Sequence, residues 1–222
     1  MIYVSTPCGR PDNLVEIMKT IPDSWGWIVC YDDRVEIPEE IKQRAILMKC
    51  ENTGPVGMLA RNHILDNFDF QDEDWIIQLD DDNIVHPNAE KAFSNIGDYS
   101  DYAIIAFRQC FWNNQVRLQP TYPPKLGNFD TGAYIVNWKY VKGIRYHQVY
   151  VADQLYVMDC FYGGMLLGSN TDDGKGAHED LLTPPPMGII DKNLSYYNYI
   201  EKEDWSHPKY QQYNQAMRDA KK

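Results

Sequence analysis

Short apolar runs alternate with segments of helical spacing through the first 80 residues of the chain. Runs typical of β-strands cover residues 2–5, 25–31, 45–49 and 74–79. Segments 14–18 and 58–68 repeat apolar side chains every three or four positions, which predicts helices between these strands, the first capped by Asp12 or Asn13. Strands that alternate with helices are typical of an α/β domain with a largely parallel sheet.

The alternation weakens after residue 100. Runs 102–107 and 131–137 predict two more strands, and the apolar stretch 155–167 predicts a helix that Asp153 opens. Residues 112–130 are polar and rich in proline, which is typical of a surface loop or hairpin. The sequence shows no internal repeat and no break in composition, so we expect a single domain over residues 1–222.

Length and composition favour one globular domain. The chain has 222 residues, of which 44 % are hydrophobic and 24 % charged, so a sizeable core is expected and wholesale disorder is not. No apolar run approaches the roughly 18 residues of a transmembrane helix, and the first residues do not resemble a secretory signal. The five cysteines are widely spaced, and Cys30 and Cys160 are expected to be reduced core residues. We therefore expect a cytoplasmic protein.

The charge balance limits the possible ligands. The chain has 21 basic and 32 acidic residues, which gives a net charge of −11. Duplex binding depends on Lys and Arg side chains that neutralise phosphates, so a nucleic-acid binder is not expected. Any anionic ligand would need a metal ion or a local basic cluster to bind this protein.

The strongest candidate for chemistry is the triple aspartate Asp80–Asp82, which follows the clearest strand of the chain. Neighbouring carboxylates raise one another's pKa unless a cation compensates their charge. Ligands of open α/β sheets bind at the carboxyl ends of the strands, where this motif is expected to lie. Oxygen ligands of this kind suit Mg²⁺ or Mn²⁺. The alternative interpretation is a solvated acidic turn.

The segment Trp75-Ile-Ile-Gln-Leu-Asp-Asp-Asp-Asn resembles the D-x-D segment of nucleotide-sugar glycosyltransferases with the GT-A fold, and its triple Asp is similar to that of the proteoglycan-linker glucuronyltransferases. The similarity extends, in order, to motifs at residues 3–11, 27–33 and 57–62, and so covers roughly the first 90 residues. The lack of a membrane anchor departs from the Golgi members. In this respect the chain is more similar to cytoplasmic enzymes such as the chlorovirus capsid glycosyltransferases.

This resemblance implies a GT-A, Rossmann-like α/β domain whose mostly parallel central sheet is flanked by helices. Residues 1–100 would form a nucleotide-binding half that ends in the D-x-D motif, and residues 101–222 an acceptor-binding half with a C-terminal tail. The implied activity is metal-dependent transfer of a sugar, most simply from a UDP-sugar, to a hydroxyl group of a glycan acceptor.

The resemblance also implies roles for individual residues in the first half. The loop from Thr6 to Arg10 and the carboxylate of Asp32 would hold the nucleoside, although Asp32 could equally be a turn or cap residue. Arg61 would reach the diphosphate or the base, unless it is an ordinary surface arginine. Within the motif, Asp80 would lie near the ribose, Asp82 would be the main ligand of a Mn²⁺ or Mg²⁺ ion, and Asp81 would assist.

The remaining implied residues lie in the second half. His207 is the candidate third metal ligand, with His178 as the rival, and Lys209 could meet a phosphate. Asp153 is the candidate catalytic base, because the base of related inverting enzymes commonly begins a helix in this half; its alternative role is a helix N-cap. Weaker candidates for the base are Asp172, Asp173, Glu179 and Asp180.

Two other function classes stay open at this point. A sugar nucleotidyltransferase also uses acidic residues and a metal ion on an α/β sheet, but its phosphate loop is richer in glycine than Ser5-Thr-Pro-Cys-Gly-Arg-Pro. A non-catalytic sugar- or metal-binding module would bind the donor without turning it over. Hydrolysis of a UDP-sugar that depends on Mn²⁺ would exclude the second alternative.

Overall fold

A mixed β-sheet forms the centre of the protein, as seen in a computed structural model that describes residues 1–54, 57–149, 151–162 and 187–200. These residues form a nine-stranded sheet in the order β3-β2-β1-β4-β8-β6-β9-β5, with β7 paired to β6. Its strands are β1 (Ile2–Pro7), β2 (Gly26–Tyr31), β3 (Ile46–Lys49), β4 (Trp75–Gln78), β5 (Ile84–Val85), β6 (Ile104–Cys110), β7 (Val116–Leu118), β8 (Tyr134–Asn137) and β9 (Met187–Tyr196).

The strand directions divide the sheet into two parts. Strands β3, β2, β1 and β4 are parallel neighbours, as the regular alternation of the first half predicts. Strand β8 then runs antiparallel to both β4 and β6, while β9 is parallel to β6. Because β5 and β7 also run antiparallel to their partners, six of the nine described strands point one way. This confirms an α/β fold with a mostly parallel sheet.

Helices cover both faces of the sheet. They are α1 (Asn13–Met18), α2 (Glu39–Arg44), α3 (Met58–Asn67), α4 (Ala89–Ala92), α5 (Trp138–Val141) and α6 (Ala152–Tyr162), with a short 3₁₀ helix at Ile96–Tyr99. Helices α1, α2 and α4 contribute to the core on one face, and α3, α5 and α6 to the core on the other. Within the residues described here, no helix combines the length and the apolar character that crossing a membrane requires.

Burial on both faces explains why the central strands have continuous apolar runs. In β4, Ile76 packs into one core and Ile77 into the other, and both are at most 3 % exposed. Strands of this kind lose the polar alternation of a half-exposed strand. All five cysteines are buried and free, which confirms the expectation for Cys30 and Cys160.

Two predicted helix caps differ from the expectation. Asp12 stands at the N-cap position of α1, but its side chain makes no capping hydrogen bond. The Asn13 side chain instead donates to the carbonyl oxygen of Asp81, 2.9 Å away. Asp153 lies within the first turn of α6 and not at its N-cap. The predicted helix 155–167 is confirmed as far as Tyr162, and its remainder lies outside the described residues.

Candidate functional site

The loops that follow β1 and β4 meet at one edge of the sheet, because these two strands are parallel neighbours. Asp81 joins the two loops: its Oδ2 atom accepts hydrogen bonds from the backbone N–H groups of Gly9 and Arg10, both at 2.7 Å. The bond from Asn13 to the Asp81 carbonyl adds a third link between the loops. The middle carboxylate of the motif is therefore a structural anchor for the loop after β1.

The side chain of Arg10 lies between two carboxylates of the motif. Its Nε and Nη2 atoms donate to Asp81 Oδ1 at 2.9 and 2.6 Å, and Nη2 also donates to Asp82 Oδ2 at 2.7 Å. The Arg10 side chain is 43 % exposed, whereas the Asp81 and Asp82 side chains are only 8 % and 12 % exposed. A largely exposed guanidinium thus compensates two largely buried carboxylates.

A second arginine compensates the first carboxylate of the motif. Asp80 forms an ion pair through Oδ1 with Arg61 of α3, while its Oδ2 accepts hydrogen bonds from Thr131 Oγ1 and Asn83 Nδ2. Arg61 is 2 % exposed, and its guanidinium carbon lies 5.6 Å from the centre of the Tyr146 ring. Both Asp80 oxygens are therefore engaged by protein groups.

Three carboxylates face two guanidinium groups, so the motif keeps an excess of negative charge. Burial, followed by the charge of Asp80, raises the pKa of Asp82 to about 7, although the Arg10 guanidinium opposes this shift. Asp82 is thus the member of the motif whose charge the protein compensates least. An additional cation next to it would favour its ionised form.

An open cavity of about 760 Å³ lies over this edge of the sheet and is lined by both halves of the chain. The first half contributes the loop after β1, Arg61 and the triple aspartate. The second half contributes both polar and apolar side chains. Among them are Arg117, Leu118, Leu126, Phe129, Asp130, Thr131, Tyr146, Val151, Asp153, Gln154 and Tyr197. Both halves of the chain therefore contribute aspartates to the cavity.

The aspartates of the second half form a carboxyl pair. Asp153, at the start of α6, lies within hydrogen-bonding reach of Asp130, and burial together with the Asp130 charge raises the pKa of Asp153 to about 8. Arg117 Nη1 donates to Asp130 Oδ2 and to Gln109 Oε1, each at 2.5 Å. The Arg117 guanidinium also stacks on the Tyr197 ring, 3.5 Å from its centre. Asp153 thus holds its proton at neutral pH more strongly than an ordinary aspartate.

Six of the residues predicted from the sequence line this cavity together. They are Arg10, Arg61, Asp80, Asp81, Asp82 and Asp153. Sequence reasoning missed Arg117, Asp130 and Tyr197, which belong to no recognisable motif. Asp130 carried one weak signal, because it stands two residues before Gly132, a residue type typical of turns; in the structure Gly132 has a φ of +80° at the turn into β8.

Thr6 and Asp32 lie beneath the cavity wall and do not line it. The Thr6 hydroxyl is fully buried and accepts a hydrogen bond from the Trp27 indole at 3.1 Å. Asp32 is 1 % exposed and accepts hydrogen bonds from Arg34 and from the Thr53 backbone. The Arg34 hydrogen bonds hold the pKa of Asp32 well below its usual range.

The candidate third metal ligand, His207, lies outside the described residues, as do its rival His178 and Lys209. The same holds for the weaker base candidates Asp172, Asp173, Glu179 and Asp180. Within the part of the chain that the structure describes, no three His, Cys, Asp or Glu side chains are grouped as a metal site.

The donor set nevertheless fits a cation that takes most of its ligands from a substrate. Mg²⁺ commonly binds one or two protein carboxylates and completes its shell with phosphate oxygens and water. Asp82 borders the cavity, and burial together with the Asp80 charge disfavours its ionised form, which a bound cation would relieve. Asp80 could contribute an oxygen only if one of its present partners moved.

The sequence matches no protein-family model, and no curated protein sequence is detectably similar to it. The fold is similar to that of S. aureus TarS 1–349, which aligns with 88 % of this chain at 14 % identity and a TM-score of 0.63. Crystal structures of that fragment in complex with UDP-GlcNAc and with UDP align equally well. The chain spans 58–60 % of the length of these relatives. At this identity the likeness shows the fold.

Proposed function

We propose that this protein is a GT-A glycosyltransferase that moves a sugar from a nucleotide-sugar donor, most simply a UDP-sugar, to a hydroxyl group of a glycan. The observation that carries this proposal is a cavity that brings together an arginine-compensated triple aspartate and the carboxyl pair of Asp130 and Asp153. The fold of TarS, a protein with structures in complex with UDP-GlcNAc and UDP, supports it. In this proposal residues 1–100 bind the nucleotide and residues 101–222 receive the acceptor.

The first half of the chain would bind the donor. Arg10 and Arg61 would supply positive charge for a diphosphate: the partly exposed Arg10 through bidentate contact with phosphate oxygens, and the buried Arg61 through its charge at the cavity wall. Contact between Asp32 and a nucleoside would require Arg34 to leave that carboxylate, which is feasible because the Arg34 side chain is 72 % exposed. Thr6 would act indirectly, because its hydrogen bond with the Trp27 indole fixes the end of β1.

A divalent cation, Mn²⁺ or Mg²⁺, would be held mainly by Asp82, with Asp80 and His207 as further candidate ligands. When bound, such a cation stabilises the negative charge that develops on the leaving nucleoside diphosphate. Arg61 and Arg10 would share that charge from the protein side. This arrangement allows a protein with a net charge of −11 to bind an anionic donor.

Asp153 would act as the base of a direct displacement with inversion. In this step the acceptor oxygen bonds to the anomeric carbon, the bond from that carbon to the diphosphate oxygen breaks, and the hydroxyl proton passes to Asp153. Asp153 borders the same cavity as the motif, and its raised pKa makes its ionised form a stronger base. Transfer would therefore require Asp153 to have lost its proton before the acceptor reacts.

A thermal-shift experiment tests the donor and the metal together. A ligand that binds only the folded state stabilises it by RT ln(1 + [L]/Kd), about 2.7 kcal/mol at one hundred times Kd. We expect UDP and UDP-GlcNAc to raise the melting temperature with Mn²⁺ and to do so far less in EDTA. Asp82→Ala should remove the metal-dependent part, whereas the surface variant Asp66→Ala should keep it. Undiminished Mn²⁺ dependence in Asp82→Ala would place the metal elsewhere.

Turnover separates an enzyme from a binding module. We expect Mn²⁺-dependent release of UDP from a UDP-sugar, with water as a slow acceptor. A protein that binds UDP tightly in the presence of Mn²⁺ but releases none from any of several UDP-sugars, with or without glycan acceptors, would be a donor-binding module.

A further inference from the structure

Arg10 occupies the place in the motif where a cation is needed. Its guanidinium contacts Asp81 and Asp82 at 2.6 and 2.7 Å, so it already supplies one positive charge to the carboxylate that is proposed to hold the metal. Among the described residues, Arg10 is the only side chain that donates a hydrogen bond to the Asp82 carboxylate. A divalent cation at Asp82 therefore has to compete with this arginine.

The two arginines of the site differ in how easily they can move. Arg61 is 2 % exposed and forms an ion pair with Asp80, so separating this pair would leave a buried guanidinium without its carboxylate counter-charge. The Arg10 side chain is 43 % exposed at the cavity edge. Its backbone N–H and that of Gly9 hold the loop on Asp81 Oδ2 independently of the side chain. The loop would therefore stay anchored if the guanidinium moved.

We propose that Arg10 is a positioning residue that neutralises Asp82 before the donor binds and transfers to the donor's diphosphate when a divalent cation takes its place. This inference rests on the proposed function and adds an order to it. The cation alone must displace Arg10 without offering it a new partner. The cation together with a nucleoside diphosphate provides that partner, so the two ligands bind cooperatively.

The exchange has a thermodynamic signature. A coupling between two ligands is reciprocal, and typical values correspond to a 5- to 150-fold change in affinity. Part of the coupling arises from direct contact between metal and phosphate, and this part does not need Arg10. Removal of the guanidinium should therefore strengthen the binding of metal alone and reduce, but not abolish, the gain that UDP provides.

The experiment is a titration with Mn²⁺, followed by electron paramagnetic resonance of the free ion, at constant ionic strength with and without UDP. It compares the wild-type protein with Arg10→Gln and with Arg145→Gln. The control removes the same charge from Arg145, which pairs with Asp66 and does not line the cavity. We expect Arg10→Gln to bind Mn²⁺ alone about 5-fold or more tightly than wild type and to gain less from UDP. The control should behave as wild type.

Several results would overturn the inference. Circular dichroism shows whether the Arg10→Gln protein is folded. If it is folded but binds Mn²⁺ alone no better than wild type, Arg10 is a fixed support of the motif. If Arg10→Gln does not fold, the wild-type protein provides the test. A wild-type Mn²⁺ affinity that does not change when UDP is added would likewise make Arg10 a fixed support of the motif. Absence of Mn²⁺ binding in every protein, with or without UDP, removes both this inference and the proposed metal. UDP binding in EDTA then decides separately whether the proposed donor survives.

Discussion

Five aspartates line one cavity, and each of their carboxylates meets different surroundings. Asp80 and Asp81 have their oxygens engaged by arginines and backbone N–H groups, so they organise the site. Asp82 and Asp153 are compensated least, and burial and neighbouring carboxylates raise the pKa of each. Perturbed groups of this kind in a cleft are typical of functional sites. The difference is one of environment, because the side chains are identical.

Asp153→Asn tests the proposed base at the level of a single residue. The amide keeps the size of the carboxyl but cannot accept a proton, so sugar transfer should fall by roughly 10²- to 10⁴-fold with donor affinity little changed. In the wild type, transfer should rise with pH until Asp153 is ionised, near its pKa of about 8. The readouts are kcat/KM against pH and the UDP dissociation constant.

The exposed variant Asp191→Asn serves as the control for Asp153→Asn and should leave this profile unchanged. Transfer by Asp153→Asn within a few-fold of the wild-type rate would refute the assignment. So would an α-linked product from an α-linked donor, detected by NMR, because a retaining reaction needs no such base.

Substitution of Arg61 and of Asp32 should weaken the binding of different parts of the donor. Arg61→Ala should weaken UDP far more than uridine, because a guanidinium acts on phosphate charge and Arg61 borders the cavity. Asp32→Ala should weaken both ligands alike, because the Asp32 carboxylate is the proposed nucleoside contact and also orders Arg34 and the Thr53 backbone. Isothermal titration of both ligands against both variants checks this. Equal losses for UDP and uridine in the two variants would reverse the roles.

At the scale of elements, the start of α3 controls where Arg61 lies. Gly57 precedes α3 with a φ of +74°, a conformation that costs other residues roughly 1–2 kcal/mol. A Cβ atom there would lie 2.6 Å from the Pro7 side chain and 3.0 Å from Arg61 Nη1. The glycine therefore allows α3 and the loop after β1 to approach each other at the site.

Gly57→Ala should lower both the stability and the affinity for UDP. We expect a loss of at least about 1 kcal/mol in the free energy of unfolding, measured by urea denaturation, together with weaker UDP binding. Gly143→Ala is the matched control, because a Cβ at residue 143 meets nothing within 4 Å. A Gly57→Ala protein as stable as Gly143→Ala, with wild-type UDP affinity, would show that this close approach is unimportant.

The sequence predicted the elements whose apolar residues form a run or a period, and it missed several elements that show neither. Strands β1, β2 and β4 and helix α3 were predicted because burial on both sheet faces or on one helix face leaves a periodic pattern. Helix α2 buries only Ile41, and α4 and β5 have four and two residues, so none of them shows a period. Their formation depends on packing against the sheet, which local sequence does not encode.

At the scale of the whole molecule, the site was predictable where its residues are contiguous along the chain. Asp80–Asp82 follow one strand directly, whereas Arg117 and Asp130 come together only because β6 pairs with both β7 and β8. The direction of Thr6 was not predictable, since it depends on the neighbouring strand that supplies Trp27. Strand order and register are long-range properties, so these parts of the cavity could be found only in the structure.

The raised carboxyl pKa values also make the stability of the metal-free protein depend on pH. A carboxyl group whose folded pKa is raised contributes stability that is complete below its unfolded pKa, near 4, and is lost as pH rises through the folded value. For Asp82 and Asp153 these folded values are about 7 and about 8. Asp32 has the opposite sign, but its lowered pKa acts only under strongly acidic conditions.

Between pH 5.5 and 8.5 the free energy of unfolding in EDTA should therefore fall as pH rises. Each of the two groups contributes a slope of up to about 1.4 kcal/mol per pH unit until its own pKa is passed. Asp153→Asn should flatten the profile and be more stable than wild type at pH 8.5, because the amide carries no charge to desolvate. Urea denaturation at four pH values checks this, and the difference between variant and wild type cancels the contribution of histidines. A variant profile parallel to wild type would mean that Asp153 is already ionised throughout this range, and its role as a base would then need no proton loss at neutral pH.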